Sequence, residues 1–228
     1  MPEPLQIGLV IFPKVTQLDL TGPVQVFSSL PGAKVHLIWK RIEPVVSDSV
    51  LTLTPTITFA DCPQLDVICV PGGVGADDMV NDEEMLDFLR RQAKGAKYIT
   101  SVCTGSLVLG AAGLLTGYRA TTHWTAMDLL AQFGATPAKT RVCVDRNRIT
   151  GGGVTAGIDF ALTLVSIMVD RESAEAIQLR LEYNPAPPFN AGSPDTAPPE
   201  ILALVKQRIA PHQQRRTDAI RRAAARLA

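Results

Sequence analysis

The segment Tyr98-Ile-Thr-Ser-Val102 is short, apolar and rich in β-formers, and it runs straight into Cys103-Thr-Gly-Ser106 and a helix-forming stretch from Leu107 to Leu115. A strand that becomes a helix within so few residues makes an elbow, with Cys103 at its tip. A side chain there is pushed out beyond the sheet edge, and the helix that follows aims its free amides and positive dipole end at the sulfur. The expectation is a thiol that ionises readily and attacks electrophiles.

Strand-like and helix-like segments alternate over the first three quarters of the chain. Leu5 to Phe12 and Lys34 to Trp39 read as strands, and between them lie Asp19, Gly22 and a helix beginning near Pro23. Val45 to Leu53 has the alternation of a hairpin or edge strand, and Asp66 to Val70 is a buried strand ending in Pro71-Gly72-Gly73. Asp82 to Ala93 is an amphipathic helix with Met85, Phe88 and Leu89 on one face. After the cysteine come a helix from Trp124 to Phe133, a strand pair at Thr140 to Val144 and Arg148 to Thr150, and a helix from Thr155 to Val169. The pattern predicts an α/β fold, a flavodoxin-like sandwich with a mostly parallel central sheet and helices on both faces. Ligands of such sheets bind beyond the carboxyl ends of the strands, where Asp19, Gly72, Gly73 and Cys103 fall.

With 228 residues and 46% hydrophobic character the chain can bury one large core, so a single domain with appendages is expected. The compositional break follows Tyr183. We therefore divide the chain into an α/β catalytic domain, residues 1–183, and a Pro-rich arm with a helical C-terminal extension of the same domain, residues 184–228. Asn184-Pro-Ala-Pro-Pro-Phe-Asn-Ala-Gly-Ser-Pro-Asp-Thr-Ala-Pro-Pro199 cannot form regular structure. It reads either as a linker or, because Phe189 is a large apolar group in mid-arm, as a segment lying against the body or a partner subunit. Ile201 to Ala228 reads as one or two helices whose seven basic residues form a solvated face rather than a DNA-contacting tail. Lys and Arg balance Asp and Glu at 22 each, which favours neither nucleic acid nor an anionic membrane as partner. The N-terminus lacks a basic leader region and the apolar run Ile7 to Phe12 is too short for a signal or a membrane span, so a cytoplasmic enzyme is expected. Cys62, Cys69, Cys103 and Cys143 show no metal spacing and should be free thiols. Neither a metal nor a cofactor is expected.

Six stretches together resemble the ThiJ/PfpI-type branch of the class I glutamine amidotransferase-like superfamily, and within it the isocyanide-hydrating enzymes. They are Gln17-Leu-Asp-Leu-Thr-Gly-Pro23, Val70-Pro-Gly-Gly73, Thr100 to Leu115, Ala120-Thr-Thr-His-Trp124, Thr150 to Phe160 and Leu181 to Pro194. Many proteases of the superfamily carry a His directly after the nucleophilic Cys. Here that position is Thr104, which argues against peptidase chemistry. The resemblance implies addition of water to an isocyanide, R-NC, giving an N-substituted formamide, with Cys103 as nucleophile and Asp19 rather than a histidine as acid/base partner. It also implies a homodimer.

The residue types suit that chemistry, since an isocyanide carbon needs one soft nucleophile and one carboxylic acid close together. A covalent thioimidate on Cys103, protonated by Asp19 and then hydrolysed, satisfies both. A carboxylate beside a thiolate repels it, so the pair must hold a proton between them. Thr104 joins the catalytic set as a hydrogen-bond donor to the carboxylate or substrate, or is an ordinary first-turn residue. The amides of Gly72 and Gly73 are candidates for an oxyanion-type cradle or a substrate-lining turn. His123 is expected to support the site from behind rather than act as general base, and Gly152, Gly153 and Val154 to lie beside the cysteine where movement gates the intermediate. Asp19 as a mere helix cap is the plain competing reading. Two other functions share the fold: the ligand-sensing half of an AraC-type regulator, and a redox-sensing, chaperone or glyoxalase-like protein. The first needs more chain for paired helix-turn-helix units than residues 184–228 provide, and the second typically carries a glutamate where this chain has Asp19.

Overall fold

The computed structural model describes residues 4–227; the first three residues of the 1–183 span and Ala228 of the extension lie outside the described residues. In chain order the first half comprises β1 (Leu5–Val10), α1 (Gln17–Phe27), β2 (Ala33–Trp39), β3 (Val45–Val46), β4 (Thr52–Leu53), β5 (Ile57–Thr58), β6 (Val67–Val70), α2 (Ala76–Met79) and α3 (Glu83–Ala93). The second half comprises β7 (Tyr98–Val102), α4 (Gly105–Ala111), β8 (Arg119–Ala120), a 3-10 segment (Trp124–Phe133), β9 (Thr136–Pro137), β10 (Val142–Asp145), β11 (Arg148–Gly151), α5 (Ala156–Met168), α6 (Arg171–Arg180) and α7 (Pro199–Ala224).

Seven strands form the main sheet in the order β10-β11-β7-β6-β1-β2-β5. All of its neighbouring pairs are parallel except β10 with β11, which close as an antiparallel hairpin. β6 is buried at every residue, as a central parallel strand covered on both faces must be. α1 and α5 pack together on the sheet with α6 behind α5, while α3, α4 and α7 make a separate layer. Burial of side chains such as Phe12, Phe27, Phe88 and Phe160 between sheet and helices contributes about 1.5–3 kcal/mol each.

The strand order has a switch point. β1 lies between β2 and β6, so the chain winds outward on one side of β1 and then returns to build the other side. The carboxyl ends of β1, β6, β7 and β11 all open at the same edge, and the segments after them carry Asp19, Gly72, Cys103 and Gly152.

Several elements differ from the sequence reading. α1 begins at Gln17 and holds Pro23 in its interior, because Thr16 in extended conformation already starts the helix and the proline removes only one backbone donor. α4 is shorter than Leu107–Leu115 and starts at Gly105; Gly113, at φ +75, ends the turn that follows it. Val45 to Leu53, by contrast, agrees with one of the two forms expected: it is a hairpin, with β3 and β4 antiparallel. At the C-terminus α7 is one 26-residue helix, within the one or two expected, and six of the seven basic residues of the extension are exposed; what differs is a buried face of Arg216, Ala219, Ile220 and Ala223. That face packs on α4, α2 and the 3-10 segment, so the helix is not solvated all round. The arm before it is mostly exposed, Phe189 at 79%, although Asp195 is held by Lys139 at 2.7 Å.

Candidate active site

Cys103 has φ +55, a left-handed conformation that costs a residue with a side chain about 1–2 kcal/mol. The backbone around it holds it there. Its N–H donates to the Gly151 carbonyl on β11 at 3.0 Å, and its own carbonyl accepts from Thr122 Oγ1 at 2.9 Å and Ser106 Oγ at 3.2 Å. Gly105 comes next because a Cβ there would collide with the Val70 carbonyl at the end of β6, so only glycine lets α4 start this close to the sheet.

Asp19 sits in the first turn of α1 and is 0% exposed. It does not cap its own helix. Oδ2 accepts the Gly72 N–H at 2.9 Å, while Oδ1 has no hydrogen-bond partner among the described residues. Burial raises the Asp19 pKa to about 7, against the opposing pull of the Gly72 amide and the Cys103 thiol, and the charge of Asp48 adds to the rise. Asp48 itself accepts from Thr16 Oγ1, which ties the β3–β4 hairpin to the start of α1.

The expectation of an easily ionised thiol is corrected here. Cys103 is only 6% exposed, and burial together with the negative charge of Asp19 pushes its pKa well above the ordinary thiol value. The Thr104 backbone N–H and the more distant Arg216 guanidinium pull the other way without overcoming those effects. Cysteine and aspartate therefore behave as one unit that holds its last proton tightly. Cys62 and Cys69 are raised by burial too, to about 11 and about 12, but neither lines the cavity described below.

The neighbouring amides are already engaged. The Gly73 N–H donates to Thr104 Oγ1 at 3.1 Å, and the same hydroxyl donates to the Gly73 carbonyl at 3.2 Å. With the Gly72 N–H on Asp19, neither glycine amide is free as an oxyanion donor in this conformation, which corrects the cradle expectation. Gly73 does line the cavity. The Thr104 hydroxyl likewise points to the turn rather than to the Asp19 carboxyl, so it locks the turn against the elbow.

A cavity of about 180 Å³ opens over the sulfur. It is lined by Thr16, Gly73, Val74, Cys103, Thr104, His123, Thr125 and Val154. The remaining wall is α7, through Ile209, His212, Gln213 and Arg216. Sequence reading missed these four, although their i, i+3, i+4, i+7 spacing marks one helical face and Ala219, Ile220 and Ala223 extend it. Arg216 is 5% exposed and donates from Nε to Asp77 Oδ1 at 2.8 Å; Gln213 Nε2 donates to the Thr125 carbonyl at 2.6 Å.

His123 Nδ1 accepts the Thr125 N–H at 3.4 Å and lies 2.7 Å from its hydroxyl. Burial and the charge of Arg216 lower its pKa to about 4, so the ring is neutral near neutral pH and a weak base. His123 and Val154 also separate the cavity from a larger one of about 450 Å³, whose far wall is the arm at residues 192–195 and which Gly152 and Gly153 border. A Cβ at Gly152 or Gly153 would make ordinary contacts, the nearest at 3.4 and 3.6 Å, so neither glycine is demanded by crowding.

Comparison with known proteins follows the same lines. The DJ-1/PfpI family signature matches residues 6–167. The isonitrile hydratase of Pseudomonas putida is 59% identical over 223 residues, 98% of each chain. A THiJ/PfpI family protein from Pseudomonas syringae has a crystal structure that superposes with a TM-score of 0.93 at 47% identity, over 95% of this chain and 90% of that one. The HTH-type transcriptional regulator GbdR of Pseudomonas aeruginosa is 32% identical over 190 residues, which is 79% of this chain and 51% of the regulator.

Proposed function

The chain belongs to the DJ-1/PfpI family, and from its end-to-end likeness to a hydratase of that family we propose that it is an enzyme adding water to organic isocyanides to give N-substituted formamides. The observation that carries the reading is the pairing of Cys103, at a strained elbow, with a buried Asp19 that has one unpartnered oxygen and a pKa of about 7. The full-length similarity to a protein named isonitrile hydratase supports it.

In the form with one proton on the pair, Asp19 takes that proton from Sγ as sulfur attacks the terminal carbon of R-N≡C, and then delivers it to the same carbon. The product of this half is a thioimidate, R-N=CH-S-Cys103. Asp19, again a carboxylate, draws a proton from water as its oxygen adds to the carbon and passes that proton to the imine nitrogen. Collapse of the tetrahedral adduct expels sulfur, returns a proton to the pair and leaves R-NH-CHO. No oxidation state changes overall, so proton transfers suffice. Thr104 serves by directing its N–H at the sulfur and by pinning the Gly72–Gly73 turn that holds Asp19.

The enzyme reading is preferred to a sensor reading because identity to the isonitrile hydratase is 59% over 223 residues, against 32% over 190 for GbdR. The test is an aryl isocyanide assay with formamide detection, coupled to mass spectrometry of enzyme quenched in turnover. Formamide release with an adduct of one isocyanide on the Cys103 peptide is expected. A labelled Cys143, or hydration undiminished in Cys103→Ala, would sink the covalent scheme.

A further inference from the structure

Arg216 faces the cavity that Cys103 opens into, yet the reaction as described gives it no part. Its guanidinium is held from three directions: Asp77 Oδ1 on Nε at 2.8 Å, Thr125 Oγ1 on Nη1 at 3.5 Å and His212 Nε2 on Nη2 at 2.6 Å. Asp77 Oδ2 has no hydrogen-bond partner among the described residues, although His212 Nε2 lies 3.3 Å away. The ion pair joins α7 to α2 across 139 positions of sequence and is buried on both sides. Fixing an arginine there is expensive in desolvation, and the nearest anion serves it from one side only.

The charged and titratable groups around the sulfur come from five places, the β3–β4 hairpin with Asp48 among them. Asp19 approaches from α1 with Asp48 behind it, Asp77 lies behind Arg216 on α2, His123 stands at the start of the 3-10 segment, and His212, Arg215 and Arg216 belong to α7. Both histidines are held neutral, His212 by burial and by Arg216 and Arg215 against Asp77. Burial and Asp19 disfavour negative sulfur, which leaves the Thr104 amide and Arg216 to favour it.

We propose that Arg216 is a positioning residue for the Cys103 thiolate: clamped by Asp77, its fixed positive charge across the cavity offsets Asp19 and stabilises sulfur as it takes up negative charge. The C-terminal extension is then part of the catalytic site rather than an appendage. This rests on Cys103 being the nucleophile, but not on what the substrate is.

Alkylation of Cys103 by iodoacetamide, a neutral reagent, reads the proposal without any substrate. The rate is followed over a range of pH as modification of the Cys103 peptide in full-length protein. Arg216→Gln should slow alkylation near neutral pH about tenfold, the effect of one unit of thiol pKa. Arg216→Lys should recover most of the rate. Asp77→Asn, which leaves Arg216 without its counter-ion, should speed it. A merely structural ion pair predicts that Arg216→Gln and Asp77→Asn act in the same direction, and that result would overturn the proposal. If Arg216→Gln does not fold, the Asp77→Asn/Arg216→Gln double variant, which buries no unpaired charge, decides: slower alkylation than wild type supports the proposal, and an unchanged rate refutes it. Failure of the wild type to hydrate isocyanides would remove the functional reading and leave this ordering of rates as it is.

Discussion

Asp19 and Gly72 are joined by a single hydrogen bond, Gly72 N–H to Oδ2 at 2.9 Å, which leaves the second carboxyl oxygen of Asp19 buried and without a partner. A helix near the start of the chain is thereby tied to the end of a central strand 53 residues later. One oxygen anchors the group while the other stays available for a proton, so in the proposed scheme the same carboxyl is both structural and reactive.

The pH dependence of catalysis should follow from that arrangement. In the proposed scheme the active form carries one proton on the Cys103–Asp19 pair, so kcat/KM should rise with pH as Asp19 loses its proton near 7 and fall again only where the thiol ionises, well above its ordinary value. Asp19→Asn should lower activity at least ~10²-fold, the range of general acid–base catalysis. It should also abolish the acidic limb. Near wild-type activity in this variant would reduce Asp19 to a structural anchor.

Stability should move the opposite way. Folding raises the Asp19 pKa from 3.8 to about 7, so the folded state favours the neutral acid and the wild type loses stability as pH rises through that interval. Asp19→Asn keeps an acceptor for Gly72 without the buried charge. Relative to wild type it should gain on the order of 2–4 kcal/mol above neutrality and little near pH 4. Urea unfolding at several pH values checks this; a gain independent of pH would contradict it.

Gly72→Ala probes the turn. A Cβ at this position would stand 2.5 Å from the Thr104 N, 2.7 Å from its Oγ1 and 2.8 Å from Asp19 Oδ2. The turn must shift to admit it, separating Asp19 from Cys103. Activity should fall by about 10² or more, since misplacement by roughly 1 Å has that effect, while stability drops by about 1–3 kcal/mol. Unchanged kinetics would show that the close packing has no catalytic consequence.

The arm offers a quaternary test. Phe189 is exposed in the single chain, and we propose that it is covered in a homodimer whose interface lies near the active site. Burying it would contribute on the order of 2 kcal/mol. Light scattering after size exclusion should give the dimer mass, and Phe189→Ser should weaken association more than tenfold. A monomer at every concentration would make the arm a linker.

What could be read from sequence was local or periodic. The elbow at Cys103 needs only a strand, a glycine and a helix in succession, and the parallel sheet follows from alternating segments whose short-range preferences agree with their final burial. The face of α3 was legible for the same reason, with Asp82 as its cap. Those properties depend on neighbours within a few residues, so the chain by itself determined them. Tertiary structure decided what depends on distance. The proton affinity of Cys103 could not be inferred from a helix start, because burial and Asp19, 84 positions earlier, outweigh the local amide. The basic composition of α7 suggested a solvated face, which all but one of its basic residues form, yet the opposite face closes the cavity, since Arg216 meets Asp77 only once the sheet has brought α2 and α4 beneath it. An amphipathic stripe states that a face will be buried, and only the packed fold selects the surface that buries it.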